Sequence, residues 1–216
     1  MGVVFVAARR QQIYDKSAPM TMQAERETLN ESLIRTFIRY GYDGASVRLL
    51  AAASGLSKAS LYHHFPNGKP AMIASLARCQ IAELHQAAFA HLHYPDAGGF
   101  MALSNVCRGF ASYFLHYNGR CLLMALTQQH STNPEELAPT QDLIRRQFDD
   151  WTAQLSERLV EIGRKPKRAA REAQELLATI YGACAMGRLL DDPAHVQRSL
   201  RRLAKSYRLA AEKQAS

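Results

Sequence analysis

The run from Ser46 to Phe65, Ser-Val-Arg-Leu-Leu-Ala-Ala-Ala-Ser-Gly-Leu-Ser-Lys-Ala-Ser-Leu-Tyr-His-His-Phe, reads as two short helices folded about one glycine, which leaves the chain few options. Ser46 and Ser57 each stand where a helix needs an N-cap, because a hydroxyl there accepts a first-turn N–H that has no partner within the helix. Gly55 lies between them, where the chain must turn and a residue without Cβ takes positive φ at little cost. Leu49, Leu50 and Ala53 are expected to form the apolar side of the first helix, with Leu56 and Leu61 pointing inward from the second. Pro66 ends the second helix, since it disfavours helical geometry at Phe65 and has no N–H to donate. Lys58, Ala59, Tyr62 and His63 are left facing outward. A helix of about eight residues is roughly 12 Å long and the DNA major groove about 12 Å wide, so such an element can carry side chains to base edges.

Upstream, Leu29, Leu33, Phe37 and Ile34 recur at helical spacing, and Gly41 to Gly44 ends that helix before Ser46 begins the next. Three helices therefore fit between Leu29 and Phe65. Phe37, Gly41, Ser46, the Leu50–Ala51 pair, Ser54–Gly55–Leu56–Ser57 and Leu61–Tyr62–His63–His64–Phe65 followed by Lys69 make the stretch from Leu29 to Leu76 resemble the DNA-binding domain of the TetR family of bacterial transcriptional repressors. Two departures are mild: Ser46 stands where the family often has Thr, and Ser54 where Ala is common.

The resemblance implies a second helix lying in the major groove while the first crosses the backbone. Carried over by position, Ser46, Ser57, Tyr62 and Lys69 look like phosphate contacts; Arg48, Lys58 and Ala59 look like base readers, with Ser60 on the same helix and His63 able to serve either role. Duller readings stand beside these. Arg48 also fits a solvated helix surface, and Tyr62 a core residue with its hydroxyl at the rim. Adjacent His63 and His64 point about 100° apart on a helix and do not converge on one metal ion, so no metal or other cofactor is expected, and His64 is read as structural.

With 216 residues and 47% hydrophobic content the chain can bury a real core, and a net charge of +8 favours an anionic partner. The four cysteines, Cys79, Cys107, Cys121 and Cys184, match no zinc or redox spacing; they read as reduced and buried in a cytoplasmic protein, with a thiol-based redox sensor as the alternative. No apolar run approaches the length of a membrane span, and Val3 to Ala8 is too short for a signal peptide, with Arg9 and Arg10 on its wrong side. Residues 1–20 show no periodicity and are expected to be a disordered extension. A basic arm through Arg9, Arg10 and Lys16 is one other reading, and a native start near Met20 or Met22 is another.

The chain as a whole reads as all-α, with a three-helix DNA-binding head over 21–68 and a larger helical ligand-binding and dimerisation body over 69–216. About six helices are expected after the head, broken at Pro95–Gly99, Asn118–Gly119, Thr132–Pro139, Gly163–Pro166 and Asp191–Pro193. Cys107, Phe110, Phe114 and Tyr117 fall on one helix face, and Phe148, Trp151 and Leu155 on another, with Met124, Tyr181 and Met186 as further bulky side chains. Such stripes are ordinary core in many helical proteins. The resemblance implies a pocket among them for an apolar or amphipathic effector, with His116, Gln128 and His130 as polar candidates. It also implies a two-helix dimer face, read here onto Ala183, Gly187 and Leu190 and the seam Val196, Leu200, Leu203 and Tyr207.

The function expected on this basis is a ligand-responsive repressor that binds an inverted-repeat operator on double-stranded DNA as a homodimer; an activator using the same head is the alternative. Gly55 to Ala59 lacks the closing glycine and preceding strand of a nucleophile elbow, and no HExxH, Walker loop or dinucleotide fingerprint occurs, so no enzyme is expected.

Overall fold

The computed structural model describes residues 20–90, 92, 98–128 and 131–215. The expected N-terminal extension and His130 lie outside these. Helices α1 (Met20–Gly44), α2 (Val47–Ser54), α3 (Lys58–His64), α4 (Gly68–Leu84), α5 (Gly99–His116), α6 (Leu122–Thr127), α7 (Pro134–Glu161), α8 (Pro166–Leu189) and α9 (Pro193–Ala215) follow in order, with a π-turn at His85–Phe89 after α4. Among the described residues there is no strand, and no helix is long and apolar enough to cross a membrane. The chain groups into two units, Met1–Ala82 with Leu122–Arg145, and Glu83–Cys121 with Arg146–Ser216. The division expected at residue 68 thus differs from the observed grouping, which takes residues 122–145 into the first unit.

In the first unit Leu33, Ile34 and Phe37 of α1 are buried, and Gly41, at φ 72°, breaks the helix where the sequence placed its end. α2 and α3 are capped as expected: Ser46 Oγ accepts from Leu49 N at 3.3 Å, and Ser57 Oγ from Ser60 N at 3.0 Å. Gly55 adopts φ 69°, and the N–H groups of Gly55 and Leu56 return to the carbonyls of Ala52 and Ala51, a closure that satisfies two carbonyls at the end of α2. One detail differs from the sequence reading. Leu50 and Ala51 are buried and Ala53 is exposed, because the inward face of α2 is centred one position away from the Ala53 side.

Two long-range contacts fix the short helix α6 at its ends. Gln80 Oε1 accepts from Leu122 N at 3.1 Å, and Gln141 Nε2 donates to the carbonyl of Leu126 at 2.9 Å. α7 starts at Pro134 and runs through Pro139, where a break was expected. Pro134 suits the first helical position, Glu135 and Glu136 suit the positive end of the helix dipole, and Pro139 is close enough to the start that one missing bond is tolerated.

The second unit is built on rings. Phe89 stacks on Trp151 with centroids 4.8 Å apart, Phe148 lies 5.3 Å from Trp151 and 4.9 Å from Tyr181, and Phe110 joins Phe89 at 5.7 Å. α5 passes the π-turn at Gly109, where a Cβ would stand 2.0 Å from the carbonyl oxygen of Ala87, so only glycine permits that crossing. α9 lies along α5, with Ser104 Oγ donating to the carbonyl of Ala204 at 2.9 Å.

Candidate nucleic-acid interface

With Leu61 buried and Ser57 holding the first turn, α3 has only one orientation open to it, and Lys58, Ala59, Tyr62 and His63 are all exposed, Tyr62 to 48%. Ser57 and Ser60 also share a hydrogen bond between hydroxyls at 2.8 Å, so the polar edge of the helix start is ordered before anything binds it. Ser46 and Arg48 are exposed at the start of α2. No acidic residue occurs between Asp43 and Glu83, while Arg48, Lys58, Lys69 and Arg78 do. This acid-free stretch favours a polyanion by its charge, although Glu25 of α1 shares a groove with His63 and His64, and the short exposed helix supplies the shape.

Lys69 is placed differently from the rest. Its ammonium donates to the carbonyl of Tyr42 at 2.9 Å and lies 4.3 Å from the centre of the Tyr42 ring, so it holds the last turn of α1, after the kink at Gly41, whatever else it touches. The same turn is held from a distant part of the first unit: Asp43 accepts from Ser131 Oγ and from Thr132 N, each at 2.7 Å, and Tyr42 OH donates to Glu136 at 2.6 Å. The Thr132 N–H, then the Ser131 hydroxyl, hold the Asp43 carboxyl below its ordinary value, while burial and then Glu136 push the Tyr42 phenol up. Nothing in the sequence signals this clamp, because its halves are some ninety positions apart. His64, read as structural, is exposed and borders a groove that Arg26, Leu29, Asn30 and Leu56 also line.

The residues expected around an effector are partly brought together. Phe110, Phe114, Phe148, Trp151 and Tyr181 form one cluster, and Cys107 is fully buried in the same unit. Tyr117 donates to Glu83 at 2.7 Å. Met124 belongs to the first unit, His116 and Gln128 are exposed, and Tyr113, which was not singled out, is buried beside Phe114 at 5.4 Å. Among the described residues no group of three or more His, Cys, Asp or Glu is placed to hold a metal. None of the four cysteines is in a disulfide; Cys107, Cys121 and Cys184 are buried, and burial pushes the Cys107 thiol up to about 12.

The dimer face needs correction. Val196 and Leu200 are completely buried within a single chain, and Ala183 and Gly187 are buried too. Gly187 is small to admit Val196 of α9, whose Cγ2 would lie 2.9 Å from a Cβ at that position. The seam read on α9 is its inward face, with Leu203 and Tyr207 half-buried along it. Leu190 is outward, at 55% exposure, and Met186 and Leu189, the latter at 77%, are the exposed large apolar residues beside it in the chain.

Residues 31–76 match the family model described as bacterial regulatory proteins, tetR family. The HTH-type transcriptional repressor AcnR of Corynebacterium efficiens is 28% identical over 110 residues, 51% of this chain and 53% of that protein. An HTH-type transcriptional repressor of Mycobacterium tuberculosis is 40% identical over 57 residues, 26% of this chain and 30% of that one. The chain spans about half the length of the AcnR relatives it matches. Among solved structures, the TetR family transcriptional regulator PfmR of Thermus thermophilus superposes with a TM-score of 0.61 at 25% identity, covering 83% of this chain and 96% of that one. FadR of Bacillus subtilis, solved in complex with stearoyl-CoA, gives 0.60 at 16% identity over 83% and 97%. The capped helix pair lies inside the matched stretch, so residues 31–76 are a DNA-binding domain of the tetR family of bacterial regulatory proteins, and the chain is similar in fold to solved TetR family regulators.

Proposed function

We propose that this chain is a cytoplasmic transcriptional repressor that binds an inverted-repeat DNA operator as a homodimer and releases it when a small molecule occupies the second unit. The observation that carries the reading is the outer face of α3: Lys58, Ala59, Tyr62 and His63, exposed on a helix whose start is already capped. Lysine suits guanine O6 and N7, and the alanine methyl suits the thymine methyl. The relatives named as repressors favour repression over activation. Exposed Met186, Leu189 and Leu190 at the end of α8 support a twofold pairing, since an isologous contact would cover the same apolar patch on both copies. The ring cluster of the second unit supports an effector site, and the FadR complex with stearoyl-CoA supports a small-molecule occupant for a body of this fold. Control then needs a coupling free energy of only about 1–3 kcal/mol, which changes operator affinity about 5–150-fold. Buried cysteines are poor thiolates, so a thiol sensor fits less well.

The reading is tested by selecting bound fragments from random DNA with the purified protein, then measuring affinity for Lys58→Ala and Tyr62→Phe. Enrichment of an inverted repeat and weakened binding by both variants are expected. Unchanged affinity and sequence preference in both would remove α3 as the reading helix.

A further inference from the structure

We infer that the effector is an uncharged, flat ring system bearing hydrogen-bond acceptors, recognised by Tyr113, Trp151 and Tyr181 in the second unit. The inference rests on the ligand-responsive reading above and deepens it. Trp151 is completely buried, and Tyr113 and Tyr181 are 5% and 8% exposed. None of Trp151 Nε1, Tyr113 OH and Tyr181 OH has a hydrogen-bond partner in the protein. Buried polar atoms are almost always paired, so three orphans in one small unit need an explanation.

They also belong to one patch. The Tyr181 ring lies 4.9 Å from Phe148, which lies 5.3 Å from Trp151, and 6.1 Å from Phe114, which lies 5.4 Å from Tyr113. Tyr117 nearby does find a partner, donating to Glu83 at 2.7 Å, so the fold pairs a tyrosine hydroxyl here when a protein group is in reach.

The chemistry of the three atoms restricts the occupant. An indole N–H only donates, so the ligand must present an acceptor to Trp151, and the two phenols can donate to further oxygens or accept from a hydroxyl. Aromatic walls suit a planar ligand, because ring–ring contacts are exchanged for ring–ligand contacts of the same kind. A charged group has no buried counter-ion: the buried polar residues among those described are Asn30, Thr36, Gln80, Ser104 and Thr140, none of them charged. Of the titratable groups nearest the rings, Glu83 is engaged by Tyr117 and His85 stacks on Phe89. A long acyl chain would leave all three polar atoms orphaned.

Trp151 is the only tryptophan of the chain, so its fluorescence reports on the site directly. The full-length protein is titrated with flavone, coumarin and anthraquinone as neutral planar probes, and with palmitate and palmitoyl-CoA as charged acyl probes. A saturable change in Trp151 emission with at least one planar probe is expected. In Tyr113→Phe and Tyr181→Phe, which remove one oxygen each, binding should weaken roughly three- to tenfold while the circular dichroism spectrum is unchanged. Response to the acyl probes alone, response to no planar probe, or equal binding by both variants would overturn the inference. Operator binding measured on the same preparation separates the two failures: a protein that selects an operator but ignores every planar probe retains the repressor reading and loses this one.

Discussion

Ser57 offers a substitution series in which stability and DNA affinity should move in opposite directions. Its hydroxyl accepts the Ser60 N–H at 3.0 Å at the start of α3, a helix of seven residues that has little intrinsic stability of its own. Ser57→Ala removes the cap and should cost about 1 kcal/mol, within a range of about 0.5–2. For a chain of this size that lowers Tm by roughly 2–4 °C. Ser57→Asp keeps an oxygen in the capping position and adds a negative charge at the positive end of the helix, so Tm should stay within about 2 °C of the parent. DNA reverses the order. If Ser57 faces a phosphate, the aspartate carboxylate lies next to another anion, and a pair of unit charges about 4 Å apart is worth about 1 kcal/mol in water and about 4 at an effective dielectric near 20. The loss per half-site should be at least about fivefold and larger in a twofold complex. Fluorescence anisotropy on the selected operator at several salt concentrations, beside thermal melts, reads both quantities. An aspartate variant that binds as tightly as the parent would show that the start of α3 is not against the backbone, and the proposed docking would fail.

Other perturbations follow from single contacts. Gly109→Ala must move α5 away from the π-turn, because its Cβ would meet the carbonyl oxygen of Ala87 at 2.0 Å; the gain of about 1 kcal/mol in helix propensity is outweighed, and a net loss of about 1–3 kcal/mol is expected in urea denaturation. A variant as stable as the parent would contradict that crossing. Leu189→Glu, at a position 77% exposed, should leave the melting temperature of the isolated chain unchanged and shift sedimentation from dimer to monomer if the apolar end of α8 is the pairing surface; a dimer that persists would move that surface elsewhere. Asp43→Asn tests the clamp by pH. The folded-state carboxyl is held below its ordinary 3.8, first by the Thr132 N–H and then by Ser131, so its stabilising effect is present above that value and is lost as pH falls through the lower folded one. Stability measured between about pH 5 and pH 2 should fall less steeply in the variant, and parallel acid limbs would refute the assignment.

What the sequence revealed depended on how far apart the interacting groups lie along the chain. The caps at Ser46 and Ser57, the reversal at Gly55 and the stop at Phe65 are each decided within four residues, and all stand where they were expected. The ring cluster was legible as stripes on α5 and α7, but Tyr113 was passed over because a tyrosine among phenylalanines carries no sign that its hydroxyl will be unpaired. Pro139 misled for a related reason. Proline ends helices in general, yet α7 runs on through Pro139, five positions after its start, without the bond that Pro139 cannot donate.

The seam on α9 shows the limit most clearly. Val196, Leu200, Leu203 and Tyr207 recur at a helical period, and a period identifies a face without saying what covers it. An inward face against α5 and an outward face against a second chain would carry the same residues. What separates them is the other side of the helix pair: Gly187 is small because Val196 occupies its space, which accounts for that glycine without any partner chain, whereas Gly182 of the same stretch has open space beside it. The surface left for pairing is then defined by what intrachain packing does not use, Met186, Leu189 and Leu190 at the end of α8. The same subtraction applies to α3. Once Leu61 is assigned to the core and Ser57 to its own cap, the exposed residues that remain, Lys58, Ala59, Tyr62 and His63, are the ones whose chemistry suits DNA.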